Sequence, residues 1–143
     1  MEKPRSIAEV AFMKKQNICL LEDDTAVLDS LRLMLERNGF AVKPFKTPNE
    51  LLMAGNLDSY DCLVLDIRLP GMTGMELLEL LRARAYSKPA VLISAANEPQ
   101  LEERMRKAGV SSHLLKPIVP DILLAALYRA TGPKSANSAR LRT

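Results

Sequence analysis

Cysteine and histidine are scarce in this chain. Two cysteines, Cys19 and Cys62, and one histidine, His113, are all that its 143 residues contain. That set gives poor support to a zinc site. Both cysteines lie inside apolar runs, so they are expected as small buried residues. Long hydrophobic runs are missing too, and none approaches the ~20 residues of a membrane span. Glu9 interrupts the stretch where a secretion signal would be unbroken and apolar. The cytoplasm is therefore the expected compartment, with no membrane partner. Basic charge is missing from the body. The chain carries +3, but residues 132–143 hold Lys134, Arg140 and Arg142 without an acid, and residues 1–16 add +2, which leaves −2 for residues 17–131. A nucleic-acid-binding face on the body has little support. No internal repeat and no low-complexity segment is present.

What the chain does have is an alternation. Its length suits one domain with a full core. Asn17–Leu21 is a short apolar run that reads as a strand. Val27, Leu31 and Leu35 then repeat at helical spacing, and Asn38-Gly39 is a helix stop. Residues 40–45 predict a second strand, with Pro44 suited to a sheet edge. Thr47-Pro48-Asn49-Glu50 has the form of a capping box opening a short helix. Cys62–Asp66 is the third strand, and Thr73 with Glu76 predicts a capping box for the helix carrying Leu77, Leu78, Leu80 and Leu81. Residues 89–94 form the fourth strand. A helix opened by Asn97 or Glu98 should run to Gly109. Ser112–Leu115 is the fifth strand, and Pro120 opens a last helix ended by Gly132-Pro133.

Five βα units with continuous apolar strands predict an α/β fold. The sheet should be parallel, with helices on both faces. The expected class is a flavodoxin-like, doubly wound (β/α)5 domain with strand order 2-1-3-4-5. The body is assigned to residues 16–131, with residues 1–15 as an extension and 132–143 as a flexible tail or linker.

Polar residues fall at the strand ends. Glu22 and Asp23 follow the first strand, Asp66 ends the third, Ser94 ends the fourth and Lys116 follows the fifth. In open α/β sheets this edge is where ligands bind. Three gathered carboxylates call for a hard cation, and Mg²⁺ takes carboxylate and phosphate oxygens. Lys116 can hold a phosphoryl oxygen as a point charge, and Ser94 can donate to another. Asp66 is the candidate nucleophile, since a carboxylate can form an acyl phosphate. Taken singly, each piece has a simpler explanation: an acidic triplet is commonly a helix N-cap, and Lys-Pro is commonly a turn.

Together these residues resemble those of a response-regulator receiver domain, most closely the receivers that precede helix-turn-helix output domains. Glu22-Asp23 resembles its acidic pair, and Asp66 through Gly74 its phosphoacceptor strand end and loop. Ser94-Ala95 resembles its Thr/Ser-Ala step, and Lys116-Pro117 its lysine and following proline, usually joined by a cis peptide. The separations of 43, 28 and 22 residues from Asp23 to Asp66, Ser94 and Lys116 in turn fit the family.

The resemblance implies that Asp66 accepts a phosphoryl group from a sensor histidine kinase or phosphotransfer protein. It implies Mg²⁺ on Asp23, Asp66 and the backbone carbonyl of Arg68, with Glu22 acting through water. Ser94 and Lys116 would bind the phosphoryl group, and Pro117 would position the lysine. The signal would leave through the fourth helix, fifth strand and fifth helix, with homodimerisation on phosphorylation left open. At the family's switch position, usually Tyr or Phe, stands His113, either a switch residue with Ser94, its imidazole rotating inward or outward, or an exposed strand residue.

Two other readings compete. An aspartate-nucleophile phosphatase would usually carry a second Asp at position 68, where this chain has Arg68. A phosphorylation-independent binding module would have lost key acids, and none is lost. The chain is therefore expected to be a switch and not a multiple-turnover enzyme. Only 27 residues follow Lys116, short of the roughly 60 of a DNA-binding domain. Direct DNA binding by this chain is not expected.

Overall fold

A computed structural model describes residues 15–132. Almost all of the expected extension 1–15 and tail 132–143 lies outside the described residues. Five strands, β1 (Asn17–Leu21), β2 (Ala41–Phe45), β3 (Cys62–Asp66), β4 (Ala90–Ser94) and β5 (Ser112–Leu115), form one parallel sheet in the order β2-β1-β3-β4-β5. Five helices alternate with them: α1 (Thr25–Arg37), α2 (Pro48–Ala54), α3 (Gly74–Ala83), α4 (Glu102–Lys107) and α5 (Pro120–Thr131). The order is the expected one, and Pro44 does sit in the edge strand β2.

Strand alternation divides the core. Cys19, Leu21, Leu63, Leu65 and Leu92 face one side, packed with Leu51 of α2, Leu77, Leu78 and Leu81 of α3 and Met105 of α4. Ile18, Leu20, Cys62, Val64, Val91 and Ile93 face the other, packed with Leu28, Leu31 and Leu35 of α1 and Leu123 and Leu127 of α5. Each fully buried leucine contributes roughly 1.5–3 kcal/mol through lost apolar surface. The cysteines are buried on opposite faces. Burial pushes the Cys19 thiol up to about 12, so it is an inert packing residue.

The helix ends follow local chemistry. Asp24 caps α1, accepting from the Val27 N–H at 3.1 Å. Thr73 and Glu76 make the full reciprocal box on α3. At α2 the box is displaced: Thr47 accepts from the Glu50 N–H, but the Glu50 carboxylate reaches the N–H of Lys46. The start of α4 differs from expectation. Glu98 opens a 3-10 turn over Pro99–Leu101, and the α-helix begins only at Glu102. Glu98 supplies no side-chain cap there, because its carboxylate is engaged elsewhere.

Candidate functional site

The strand order reverses between β1 and β3, so the loops leaving them diverge and open a crevice. Register sets the floor of that crevice. Leu21 pairs with Leu65, which brings the next residues, Glu22 and Asp66, side by side. Asp66 pairs with Ile93, and Ser94 with Leu115, so Ser94 and Lys116 follow one place further along. Four residues separated by up to 94 positions thereby share one sheet edge.

Glu22, Asp66 and Ser94 are buried, whereas Asp23 is exposed. Carboxylate oxygens of Glu22, Asp23 and Asp66 lie within 4.8 Å of one another. The Lys116 ammonium stands between two of them, 2.6 Å from Asp66 Oδ2 and 2.9 Å from Glu22 Oε1. The Arg68 N–H donates to Asp66 Oδ1 at 3.0 Å, and the Asp24 N–H donates to Glu22 Oε2 at 3.1 Å. Burial raises the Glu22 pKa, and although Lys116 and the Asp24 N–H pull it down, the Asp66 charge adds to the rise. Burial alone would lower the Lys116 pKa, but hydrogen bonds and charge from Asp66 and Glu22 leave it raised. The lysine stays an ammonium, and one cation faces three acids.

That imbalance is what a hard divalent cation fits. All three ligand groups are carboxylate oxygens, and one of the acids is open to solvent. The chemistry available is binding of a hard cation, and of an anion at the Lys116 ammonium, next to a buried carboxylate.

Ser94 is at the site but turned from it. Its Oγ lies 2.6 Å from the Ala96 carbonyl oxygen and 2.7 Å from His113 Nε2. A hydroxyl has one hydrogen, and a carbonyl only accepts. Ser94 therefore donates to Ala96, and His113 Nε2 donates to Ser94. The Lys116 N–H donates to the Ser94 carbonyl at 2.8 Å, but among the described residues the Ser94 hydroxyl makes no hydrogen bond to the Asp66 carboxylate or the Lys116 ammonium. His113 is half-buried in β5 and is a direct partner of Ser94, not a free surface residue. The Lys116–Pro117 bond is cis.

Two residues beside the site had no such role in the sequence. Gly74 opens α3 with its Cα against the Asp66 carbonyl: a Cβ there would lie 2.2 Å from that oxygen. Its signal was a glycine at the first position of a helix. Glu98 is buried and binds Arg68, and nothing in its local sequence distinguishes it from a surface acid.

An open parallel α/β sheet thus places carboxylates, a hydroxyl and an ammonium at its switch point, where such folds bind ligands. Comparison with known proteins gives the family. Residues 18–128 match the response regulator receiver domain, and the chain belongs to that family. Receiver domains are phosphoacceptor domains of phosphorylation-dependent two-component signalling, not classical enzymes, and they generally bind Mg²⁺ at an acidic pocket.

Among its relatives, the chain is 33% identical over 116 residues to the transcriptional regulatory protein FixJ of Bradyrhizobium diazoefficiens, covering 81% of this chain and 57% of FixJ. It is 29% identical over 111 residues to the cell cycle transcriptional regulator CtrA of Caulobacter vibrioides, covering 78% and 48%. The chain thus spans about half the length of these curated relatives. Among solved structures, the non-phosphorylated HemR receiver domain of Leptospira biflexa superposes with a TM-score of 0.75 at 28% identity, covering 82% of this chain and 94% of that one. No helix among the described residues is long and apolar enough to cross a membrane.

Proposed function

We propose that residues 16–131 act as a receiver whose phosphoacceptor is Asp66, with a histidine kinase or phosphotransfer protein as donor. The observation that carries this is the convergence on one buried carboxylate: Lys116 Nζ at 2.6 Å, the Arg68 N–H at 3.0 Å, and the Glu22 and Asp23 oxygens beside it. An Asp66 oxygen attacks the donor phosphorus. The bond from phosphorus to the donor nitrogen breaks, and its electron pair stays on that imidazole. Such transfer depends mainly on positioning and charge neutralisation.

Asp23, Asp66 and the Arg68 carbonyl would hold Mg²⁺, with Glu22 acting through water. The bound ion would neutralise charge on the phosphoryl oxygens. Lys116 exchanges a carboxylate oxygen for a phosphoryl oxygen, and Pro117 fixes the backbone after it. Ser94 withdraws its hydrogen from the Ala96 carbonyl and donates it to the phosphoryl group. That exchange loosens the contact with His113 in β5. The face beyond, formed by α4, β5 and α5, carries exposed Leu115, Val119 and Ile122, apolar surface suited to protein contact. Relatives such as FixJ and CtrA are named as transcriptional regulators, so an output function outside this chain fits the same reading. A cytoplasmic setting follows from such partners.

Incubation with Mg²⁺ and acetyl phosphate, followed by intact mass, tests the assignment. Wild type should gain one labile phosphoryl group, and Asp66→Asn none. Equal labelling of both would move the nucleophile elsewhere.

A further inference from the structure

Among the described residues, four polar or charged ones are buried: Glu22, Asp66, Ser94 and Glu98. The first three form the site just described. Glu98 is only 3% exposed and has no part in it. A buried carboxylate needs a cation or hydrogen bonds. Glu98 Oε1 accepts from Gln100 Nε2 at 2.7 Å. Its cation is Arg68, whose Nε and Nη2 lie at 3.4 and 3.3 Å from the same oxygen, Oε2. Both contacts are longer than the about 2.7–2.9 Å of a good charged pair, and the fork meets one oxygen instead of two. The Arg68 side chain is also 70% exposed. Glu98 is thus bound deep in its loop, while its arginine is held loosely and from outside.

Arg68 has a second attachment. Its own N–H is bonded to Asp66. A phosphoryl group on Asp66 brings a charge of about −1.5 to −2 and three strong acceptors to within reach of that side chain. A guanidinium binds phosphate oxygens in pairs, a better match than the single oxygen it meets on Glu98. We propose that Glu98 is a positioning residue that competes with the phosphoryl group on Asp66 for the Arg68 guanidinium, and so sets the lifetime of the phosphorylated state. The inference rests on Asp66 being the phosphoacceptor. When Arg68 lies on Glu98, the outer side of the phosphoryl group is open. When it crosses over, it covers that side.

Phosphoryl loss proceeds as water attacks phosphorus. The bond from phosphorus to the Asp66 oxygen breaks, its electron pair returns to the carboxylate, and inorganic phosphate leaves with the water's oxygen. A guanidinium over the phosphoryl oxygens obstructs that approach. Glu98 therefore shortens the lifetime by drawing the obstruction away. The same exchange frees the β4–α4 loop, which starts after Ser94 and contains Glu98.

The test uses the described chain with Mg²⁺ and acetyl phosphate, removal of the donor by desalting, and intact mass against time. Four proteins are compared: wild type, Glu98→Gln, Arg68→Gln and the double variant. Arg68→Gln removes the guanidinium and keeps the backbone N–H and carbonyl. Glu98→Gln should slow phosphoryl loss roughly threefold to fivefold, the size of one exposed charge contact. Arg68→Gln should speed it, and the double variant should lose phosphate at the Arg68→Gln rate. A general structural effect of Glu98 would persist without Arg68, so the coupling separates the two. A lifetime unchanged or shortened in Glu98→Gln, or slowed equally with Gln at position 68, overturns the proposal. A wild type that takes no phosphoryl group overturns the phosphoacceptor assignment itself, and this proposal with it.

Discussion

Gly74→Ala adds one methyl group to the first residue of α3. That methyl carbon would lie 2.2 Å from the Asp66 carbonyl oxygen, 2.9 Å from its carbon and 3.2 Å from Ile67 Cα. Non-bonded atoms settle near about 3.5 Å. The obstacle is backbone in a central strand, so no side chain can rotate to make room. Two constraints resist a shift of the helix. The Gly74 N–H is bonded to the Ile67 carbonyl at 3.0 Å, and Met75, Leu77, Leu78 and Leu81 are packed into the core.

Overpacking of this kind costs about 1–3 kcal/mol. Alanine's better helix propensity offsets at most about 1 kcal/mol of that. A net loss of about 2 kcal/mol is expected. With a urea dependence of about 2 kcal/mol per molar, the unfolding midpoint should fall by about 1 M. The strand end should also move, and a misplacement on the order of 1 Å can slow phosphorylation by up to ~100-fold. Gly71→Ala is the control. Gly71 has a φ of +77° but nothing within 4 Å of an added Cβ. It should cost only the left-handed penalty of about 1 kcal/mol. A Gly74→Ala midpoint at or above wild type, or a larger loss from Gly71→Ala, would refute the close-approach argument.

Two further predictions concern the charges. Glu22→Gln should stabilise the metal-free fold by about 1 kcal/mol near neutral pH, because burial and the Asp66 charge raise the Glu22 pKa. A raised acid binds its proton more readily folded than unfolded, so wild-type stability should fall as pH rises from the ordinary glutamate value through the folded one. Glu22→Gln should remove that slope in urea titrations taken at several pH values, and an unchanged slope would place its origin elsewhere. Lys116→Met leaves Glu22 and Asp66, 2% exposed each, without their cation. It should cost about 3 kcal/mol at neutral pH, less as pH falls and Glu22, whose pKa is raised, takes up its proton. Equal cost at neutral and at acidic pH would show that lysine packing, not charge, matters.

The sequence by itself determined the fold and most of the site's membership. Period and punctuation are local, so Val27-Leu31-Leu35, the Thr73–Glu76 box and the apolar strands declare themselves without the rest of the chain. Strand-end acids in a βα alternation have one place to go. Asp66, Asp23 and Lys116 were legible because each combines a residue type with a strand end. Tertiary structure alone decided the partners. That Ser94 donates to Ala96 and is held by His113 depends on the pairing of β4 with β5. That Gly74 must lack a side chain depends on the closeness of α3 to the end of β3. The opening of α4 was misplaced because Glu98, a plausible cap by sequence, is bound by Arg68 from thirty residues away. A long-range ion pair leaves no local pattern, since its geometry exists only once both loops are in place. The same is true of the charge imbalance at Lys116, where one cation meets acids from two strands.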